Sequence, residues 1–349
     1  MTSLTSILQQ ARDDRQFSGA AYVVGTKDQV LAADAVGTTA WEDGADVSPD
    51  TVWDIASITK PIVAIQAMML AQAGQLSLTD PVSKFLPQYR QSDKAAITLF
   101  QLLTHTSGIP GQQPLYQTAT TRPQLLDAVR GLPLRYAPGS GVEYSSQGFM
   151  IVGLILEAVT AQRLDTLLAE GVLAATGMRS TEFCPPRERE PRIAATEWCP
   201  WRGRLVKGAV HDENAAVLGG VAGHAGLFST AGDLSRLAQA LLGGGQLDGG
   251  LVLDPGLVAE MARPRTDHLP LRRCLGWQGA DTSGCPVGSS VPPDSYGHTG
   301  FTGTSLWADP QRGLFVVLLT NAVHPKRRAE GLLAVRSRFH DAIFASHEW

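Results

Sequence analysis

Alternating apolar and polar residues near the start of the chain predict a β-hairpin. The alternating stretches are Ala20–Gly25 and Gln29–Val36, and the polar residues Thr26–Asp28 lie between them as the turn. A short helix is predicted before this hairpin. After it, apolar residues recur every three or four positions over Ser57–Gly74, which predicts a helix that ends at the glycine. The first part of the chain therefore contributes a strand pair and a long helix.

The middle of the chain is predicted to form helices joined by long turns. Apolar stretches at Phe149–Thr160 and Leu164–Leu173 each have the length and composition of a buried helix. Thr230, followed three residues later by Asp233, forms a capping pattern that predicts a helix running to Leu242.

Near its end the chain returns to strand patterns. We predict strands over Cys274–Gln278, His298–Asp309 and Gly313–Thr320, a turn at Asp309–Gly313, and a final amphipathic helix over Ala329–Ala345. Because strands occur at both ends of the chain and helices lie between them, we expect one antiparallel sheet built from both ends. The predicted fold class is α/β (mixed α+β), with helices flanking the sheet and a helical lobe inserted into it.

Composition limits the classes of partner. The chain has 349 residues, of which 44% are hydrophobic and 18% charged, so it can build a large core and is neither disordered nor a coiled coil. The net charge is −4 and no long basic stretch occurs, so we expect no nucleic-acid partner. No apolar stretch is long enough to cross a bilayer. The oligomeric state stays open.

The cysteines and the N-terminal segment bear on cofactors and compartment. Among the four cysteines no C-x-x-C pair occurs, so we expect free thiols and no zinc or redox site. We expect no organic cofactor either. Residues 1–15 have no basic stretch followed by an apolar run, which is unlike a signal peptide. The expected location is the cytoplasm, or the periplasm or cell exterior if a leader was removed.

Ser57 and Lys60 are the first candidates for catalysis. They lie three residues apart at the start of a predicted helix, so their side chains share one face. A serine hydroxyl needs a neighbouring base to become a nucleophile, and a lysine becomes such a base when burial lowers its pKa. The spacing alone is a weak signal, since a surface lysine near a helix start is the ordinary alternative. Its position beside a strongly apolar helix favours the catalytic interpretation.

The segment Val52–Lys60 resembles the active-site segment of the serine β-lactamase and penicillin-binding protein superfamily. The class C-like branch, with its family VIII carboxylesterases and D-peptidases, is the most similar. Further matching segments occur in the family's order, at Leu102–Gly108, Tyr136–Gly139, Gly226–Leu234 and His298–Gly300. Together they cover roughly residues 18 to 321, and they are far more specific for the fold than for the substrate.

The resemblance implies catalytic roles for four residues. Ser57 matches the nucleophile and Lys60 its activating partner. Tyr144 matches the tyrosine of the Y-x-N motif, which helps to deprotonate the serine and to protonate the leaving group. His298 matches the first position of the third motif, where many relatives have lysine, and its charge near neutral pH is left open.

The resemblance also implies substrate-binding groups. The backbone N–H groups of Ser57 and Phe301 match the oxyanion hole, and Thr299 and Gly300 belong to the strand that lines the site. Ser146 stands where the motif usually has asparagine. A hydroxyl cannot reproduce the paired donor and acceptor of an amide, so this departure favours small esters over peptides and β-lactams.

Three readings of function therefore stand side by side. The chain is predicted to be a serine hydrolase that forms an acyl-enzyme at Ser57, with small carboxylic esters as the favoured substrates. The first alternative is a D-Ala-D-Ala carboxypeptidase or β-lactamase. The second is a binder or sensor of the penicillin-binding type that has lost catalysis, although the intact Ser57, Lys60 and Tyr144 oppose it.

Two expectations concern the arrangement around this site. Residues 1–56 and 230–349 are expected to form the sheet domain and residues 57–229 the helical lobe, with the active site at their interface. The segment His211–Asn214 and His224 together carry several metal-ligating side chains, but their spacing matches no standard zinc pattern. We therefore expect no metal there. A loop that borders the cleft is the favoured interpretation, and a solvated turn is the alternative.

Overall fold

An antiparallel sheet joins the two ends of the chain. In the computed structural model, which describes residues 3–281, 284–327 and 331–346, the main sheet has six strands. Their order across the sheet is β10 (Gln278–Gly279), β11 (Tyr296–Thr299), β12 (Ser305–Asp309), β13 (Leu314–Thr320), β1 (Gly19–Thr26) and β2 (Val30–Gly37). Strand β1 lies between β2 and β13, and its register runs from Ala20 opposite Thr320 to Thr26 opposite Leu314. The N-terminal hairpin and the C-terminal strands thus share one sheet, which confirms the predicted fold class.

The described elements follow one another along the chain with these bounds. The helices are α1 (Leu4–Asp13), α2 (Thr59–Gln72), α3 (Val82–Phe85), α4 (Leu99–Leu103), α5 (Arg122–Gly131), α6 (Ser146–Thr160), α7 (Leu164–Leu168), α8 (Ala174–Thr176), α9 (Glu213–Val217), α10 (Ala231–Leu242), α11 (Pro255–Ala262) and α12 (Leu332–Phe344). The strands are β1 (Gly19–Thr26), β2 (Val30–Gly37), β3 (Trp53–Asp54), β4 (Glu182–Phe183), β5 (Trp198–Cys199), β6 (Arg204–Leu205), β7 (Leu227–Ser229), β8 (Gln246–Leu247), β9 (Gly250–Leu251), β10 (Gln278–Gly279), β11 (Tyr296–Thr299), β12 (Ser305–Asp309) and β13 (Leu314–Thr320).

The central strands are buried on both faces. All seven residues of β13 are buried, so its sequence is a continuous apolar run rather than an alternating one. Successive side chains point to opposite faces. Val317 and Leu319 belong to the core that contains helices α2, α6 and α10, whereas Val316 and Leu318 pack with α1 and α12. The sheet is therefore a middle layer between two sets of helices.

Two predicted strands are wrong in their bounds because turns interrupt them. Most of Cys274–Gln278 is a tight turn, in which the N–H of Cys274 donates to the carbonyl of Trp277 at 2.9 Å and Gly276 has φ 78°. The predicted strand His298–Asp309 is two strands, β11 and β12, joined by a turn in which the N–H of Gly300 donates to the carbonyl of Thr304 at 2.8 Å. In these turns the backbone groups bond to each other instead of to a neighbouring strand. The apolar pattern of the sequence does not show which partner a backbone group will have.

Two predicted helices also differ in detail. The predicted helix at Ser57–Gly74 begins with a 3₁₀ turn, Ala56–Ile58, before α2. The predicted helix at Leu164–Leu173 is α-helical only over α7 and then widens into a π-helical turn, Ala169–Leu173. There the side-chain oxygen of Gln66, a residue of α2, accepts a hydrogen bond from the N–H of Val172 at 2.9 Å. A polar contact from a distant helix accompanies this irregularity.

The remaining predictions have simpler outcomes. The hairpin, helices α6 and α10 and strand β13 lie close to their predicted bounds. The final helix begins at Leu332, and Ala329, where it was predicted to begin, lies outside the described residues. The division into a sheet domain and a helical lobe stays a prediction. In the described part of the chain, no helix is both long and apolar enough to span a membrane.

A buried histidine on α12 is expected to make stability depend on pH. His340 is fully buried, its Nδ1 donates to the carbonyl of Arg336 at 2.9 Å, and burial lowers its pKa from 6.5 to about 3. The unfolded chain binds a proton at this residue below pH 6.5, whereas the folded chain does not. Stability therefore falls as the pH falls, by about 2 kcal/mol for this residue between about pH 7 and pH 5.

Urea unfolding of the protein and of a His340→Gln variant at both pH values measures this effect. We expect the variant to lose less stability between the two pH values than the unmodified protein does, by about 2 kcal/mol. Equal losses in the two proteins would contradict the assignment. The comparison does not depend on how stable the variant is at neutral pH.

Candidate active site

A strained turn presents Ser57. It lies in the 3₁₀ turn between β3 and α2, and the preceding Ala56 has φ 47°, which is uncommon for a residue with a side chain. The carboxylate of Asp54 accepts hydrogen bonds from the N–H groups of Ala56 at 2.8 Å and of His211 at 2.6 Å. Asp54 is buried, and this burial raises its pKa. One carboxylate therefore fastens the turn of Ser57 to the loop that carries His211.

Lys60 is fully buried beside Ser57. Its Nζ lies 2.9 Å from Oγ of Ser57 and donates to the backbone carbonyl of His224 at 3.0 Å. The first distance allows a proton to pass between hydroxyl and amine, and the second fixes where the amine points. In turn, Nε2 of His224 lies 3.0 Å from Oδ1 of Asp212. Asp212, which belongs to the loop predicted to border the cleft, thus positions the residue whose carbonyl binds Lys60.

Tyr144 lies where several cationic or aromatic groups converge. Nζ of Lys60 is 4.8 Å from the centroid of the tyrosine ring, and the guanidinium carbon of Arg273 is 5.2 Å from it. The rings of His105 and His298 lie 4.8 Å and 5.9 Å from the same ring, measured between centroids. The tyrosine therefore lies beside the lysine with which it is predicted to move a proton.

His298 is neutral in the folded protein. It is buried, and this burial, with the charges of Lys60 and Arg273, holds its pKa well below 6.5. Its Nδ1 lies 2.8 Å from the carbonyl of Thr299, and since a carbonyl only accepts, Nδ1 carries the proton. Nε2 is then a bare acceptor, and it has no hydrogen-bond partner within the described chain. The structure thereby answers the question of charge that the sequence left open.

The turn at residues 300–304 is tied to the segment that precedes Ser57. The hydroxyl of Thr302 donates to the carbonyl of Asp54 at 2.7 Å, and that of Thr304 donates to the carbonyl of Ile55 at 3.2 Å. Phe301 lies in this turn with half of its surface exposed, and its ring stacks on His211 at 5.6 Å between centroids. These bonds set the turn of Phe301 in a fixed place relative to the turn of Ser57.

Two cavities meet at Ser57. The first, here called the arginine cavity, has a volume of about 420 Å³. Its lining includes Ser57, Gln112, Tyr144, Arg273, Gln278, His298, Thr299, Gly300, Phe301, Arg327 and Arg336. Among the described residues that line it there are three arginines and neither aspartate nor glutamate.

The second, here called the Asp212 cavity, has a volume of about 230 Å³. Its lining includes Ser57, Gln112, Gln113, Tyr116, Ser146, Gln147, His211, Asp212, Glu213, Asn214, Phe301 and Arg327. Ser57 and Phe301 line both cavities, so a substrate bound across them would pass over the nucleophile candidate.

The structure brings together every residue that the sequence analysis selected. Ser57, Lys60, Tyr144 and His298 surround one point, and Phe301, Ser146, Thr299 and Gly300 line the adjoining cavities. Three further residues that line these cavities were not predicted from the sequence, namely Arg273, Arg336 and Gln147. The segment His211–Asn214 was noticed for its metal-ligating side chains, whereas the two arginines carry no local motif that would have marked them.

Comparison with known proteins identifies the family. A family model described as Beta-lactamase matches residues 4–338. The chain belongs to the beta-lactamase family. A protein of Salmonella agona named "Putative D-alanyl-D-alanine carboxypeptidase" is 32% identical over 306 residues, which are 79% of this chain and 70% of that protein. The chain is therefore a serine hydrolase, and the predicted resemblance is confirmed.

Solved structures with the same fold also match the chain. A beta-lactamase/D-alanine carboxypeptidase from Pseudomonas syringae matches with a TM-score of 0.79 and 19% identity over 99% of both chains. EstCE1, described as a hydrolase with promiscuous acyltransferase activity, matches with a TM-score of 0.79 and 21% identity over 98% of this chain and 97% of the other. At such identities the similarity establishes the fold and leaves the substrate to be argued from the site.

Gly300 is expected to tolerate no side chain. A Cβ atom there would approach the hydroxyl of Thr304 too closely and would lie 2.6 Å from the carbonyl oxygen of Ile55. The turn of Phe301 would have to move away from Ser57, and misplacement by about 1 Å costs on the order of 100-fold in rate. We expect kcat/KM for p-nitrophenyl acetate to be about 100-fold lower in a Gly300→Ala variant than in the unmodified protein.

A Gly131→Ala variant is the matched control. A Cβ atom at Gly131, at the end of α5, would meet no atom within 4 Å, so its activity should equal that of the unmodified protein. Near-UV circular dichroism verifies that both variants are folded. Full activity of Gly300→Ala would show that the position of this turn does not matter for the reaction.

Proposed function

We propose that this serine hydrolase cleaves an acyl bond whose leaving group carries a carboxylate, as a D-Ala-D-Ala carboxypeptidase does. The observation that carries the proposal is the arginine cavity beside Ser57. The relative from Salmonella agona with 32% identity has a name of this kind, which supports the same class of substrate. A free carboxylate is the part of such a substrate that arginines recognise.

Two of the three arginines that line the arginine cavity make no ion pair with any described residue. Arg273 and Arg336 are buried, and Nε of each has no hydrogen-bond partner within the described chain. Arg327 differs, because it makes a bidentate ion pair with Glu197 at 2.7 and 2.8 Å and also contacts Glu213. Burial lowers the pKa of Arg336 to about 10, so it is charged at neutral pH. Buried charges without partners are costly, and a bound carboxylate would relieve that cost.

The proposed reaction starts at Ser57. Lys60, or Tyr144 acting with it, takes the hydroxyl proton as Oγ attacks the substrate carbonyl. The backbone N–H groups of Ser57 and Phe301 stabilise the oxyanion. The C–N bond then breaks, Tyr144 protonates the departing amine, and an acyl-enzyme remains on Ser57. Water attacks this ester, and the acyl group leaves as a carboxylic acid while the serine recovers its proton.

Small esters are the second candidate. Ser146 lines the Asp212 cavity in place of the usual asparagine, which is the observation that favours them. The next residue, Gln147, carries an amide into the same cavity, so the loss of the asparagine does not leave the cavity without an amide. Turnover of p-nitrophenyl butyrate together with no cleavage of D-Ala-D-Ala or of nitrocefin would favour the ester. The remaining alternative, a sensor or binder that has lost catalysis, is tested by covalent labelling of Ser57 together with the turnover assay.

Ser57 is predicted to form the covalent intermediate. A fluorophosphonate should add to its Oγ, because Lys60 lies within hydrogen-bonding distance to remove the proton. Mass spectrometry of the labelled protein should place the adduct on the peptide that contains Ser57. A Ser57→Ala variant should keep its circular dichroism spectrum and lose both adduct and turnover. Labelling elsewhere, or none at all with an active preparation, would refute the assignment.

Arg336 is predicted to select a substrate with a free carboxylate. A charge-assisted hydrogen bond contributes about 1.5–3 kcal/mol, so the unmodified protein should cleave D-Ala-D-Ala with a kcat/KM about 10- to 100-fold above that for D-Ala-D-alaninamide. Arg336→Met should bring this ratio close to one. The control is Arg338→Met, since Arg338 lies on the same helix, is exposed and does not line the cavity.

The ratio distinguishes recognition from folding. A variant that is merely less stable would lose activity on both dipeptides, whereas loss of the counterion affects only the one with a carboxylate. The ratio of kcat/KM for D-Ala-D-Ala to that for D-Ala-D-alaninamide could also stay unchanged in both Arg336→Met and Arg273→Met. That result would show that the arginine cavity does not bind the leaving group.

A further inference from the structure

The unpartnered polar atoms of the Asp212 cavity are acceptors, whereas those of the arginine cavity include two guanidinium Nε–H groups; Arg327 lines both cavities but is paired with Glu197 and Glu213. Gln147 is fully buried, and its Oε1 has no hydrogen-bond partner within the described chain. Its Nε2 donates to the backbone carbonyl of Gln113 at 3.1 Å, and only the amide nitrogen can make that bond. The orientation of the amide is therefore fixed, and its oxygen is left for a donor that enters the cavity.

Asp212 adds a negative charge to the same cavity. Its Oδ1 accepts two hydrogen bonds, one from the backbone N–H of Ala215 at 2.8 Å and one from Nε2 of His224 at 3.0 Å. Oδ2 has no hydrogen-bond partner among the described residues, and the side chain, which lines the cavity, keeps about a third of its surface exposed. His224 and Lys60 face this carboxylate and hold its pKa well below its usual range. It is therefore ionised at neutral pH.

The position of Tyr144 assigns the two halves of the substrate. Tyr144 lines the arginine cavity and is absent from the lining of the Asp212 cavity. In the proposed reaction it protonates the leaving group, so the leaving group occupies the arginine cavity. The acyl half then extends into the Asp212 cavity, which at about 230 Å³ is smaller than the roughly 300–1,000 Å³ of sites for drug-sized ligands. A single small residue suits this space.

We infer that the Asp212 cavity binds a free α-ammonium group, with Oδ2 of Asp212 and Oε1 of Gln147 as its acceptors. An ammonium group is a compact charge with three donors and no acceptor, which complements an ionised carboxylate and a bare amide oxygen. The other acid that lines the cavity, Glu213, is already paired with Arg327. The preferred substrate is then a dipeptide of small residues with both ends free. This inference rests on the proposed function for the assignment of the two halves.

The test compares substrates that differ only at the amino group. For the unmodified protein, kcat/KM for D-Ala-D-Ala should exceed that for N-acetyl-D-Ala-D-Ala by at least about tenfold, which is the lower end of the effect of a charge-assisted hydrogen bond. Asp212→Asn, which keeps the shape of the side chain and removes its charge, should lower this ratio to near one. Gln147→Leu should lower it as well. L-Ala-L-Ala measured in parallel tells whether configuration matters.

Glu213→Gln is the matched control. It removes one negative charge from the residue next to Asp212, so a general effect of charge would change the ratio in both variants. Of these two acid-to-amide variants, we expect the ratio to change only in Asp212→Asn. A parallel loss on both substrates in Asp212→Asn would mean that Asp212 acts only through His224 and Lys60, and it would overturn the inference.

A second pair of substrates separates this inference from the proposed function. D-Ala-p-nitroanilide and its N-acetyl derivative have no carboxylate on the leaving group, so they report on the amino group alone. Dissociation constants of the two dipeptides for Ser57→Ala give the same comparison without turnover. One outcome is that the free amine is preferred in kcat/KM for the anilides or in the dissociation constants, while D-Ala-D-Ala is not preferred over D-Ala-D-alaninamide. That result would support this inference and contradict the proposed carboxylate on the leaving group. Equal values for free and acetylated compounds in every assay would reject the inference.

Discussion

The contact between Lys60 and Ser57 is the interaction on which the rest of the site depends. A fully buried amine is tolerable only when its hydrogen bonds are satisfied, and here the hydroxyl of Ser57 and the carbonyl of His224 satisfy it. The carbonyl is held in place because the ring of His224 meets Asp212. Three separate segments must therefore be in place before the lysine can act on the serine.

The cleft is polarised around that contact. On one side lie the buried guanidinium groups of Arg273 and Arg336, and on the other lie the carboxylate of Asp212 and the bare amide oxygen of Gln147. Ser57 belongs to the lining of both sides. Charges of opposite sign at the two ends of a cleft orient a dipolar ligand, because the reversed placement would bring like charges together. The same arrangement would place the scissile bond over the nucleophile.

Much of the fold was predictable because it follows from local pattern. The alternation at Ala20–Gly25 and Gln29–Val36 predicted the hairpin, the apolar stretch at Phe149–Thr160 predicted α6, and the capping pattern at Thr230 predicted α10, each within a few residues. The predictions were wrong at Cys274–Gln278 and within His298–Asp309, where turns are stabilised by contacts to other segments. Thr302 and Thr304 donate to backbone carbonyls near Ser57, and no property of the local sequence indicates such a partner.

By itself, the sequence determined the nucleophile candidates, the order of the motifs and the class of fold, because these depend on spacing along the chain. Three properties were decided by the tertiary structure alone. They are the charge of His298, the orientation of the Gln147 amide, and the presence of Arg273 and Arg336 in one cavity beside Ser57. Each of these depends on burial and on neighbours far away in the chain. A side chain's charge and its free hydrogen-bonding atoms are set by what surrounds it, and the surroundings exist only after folding.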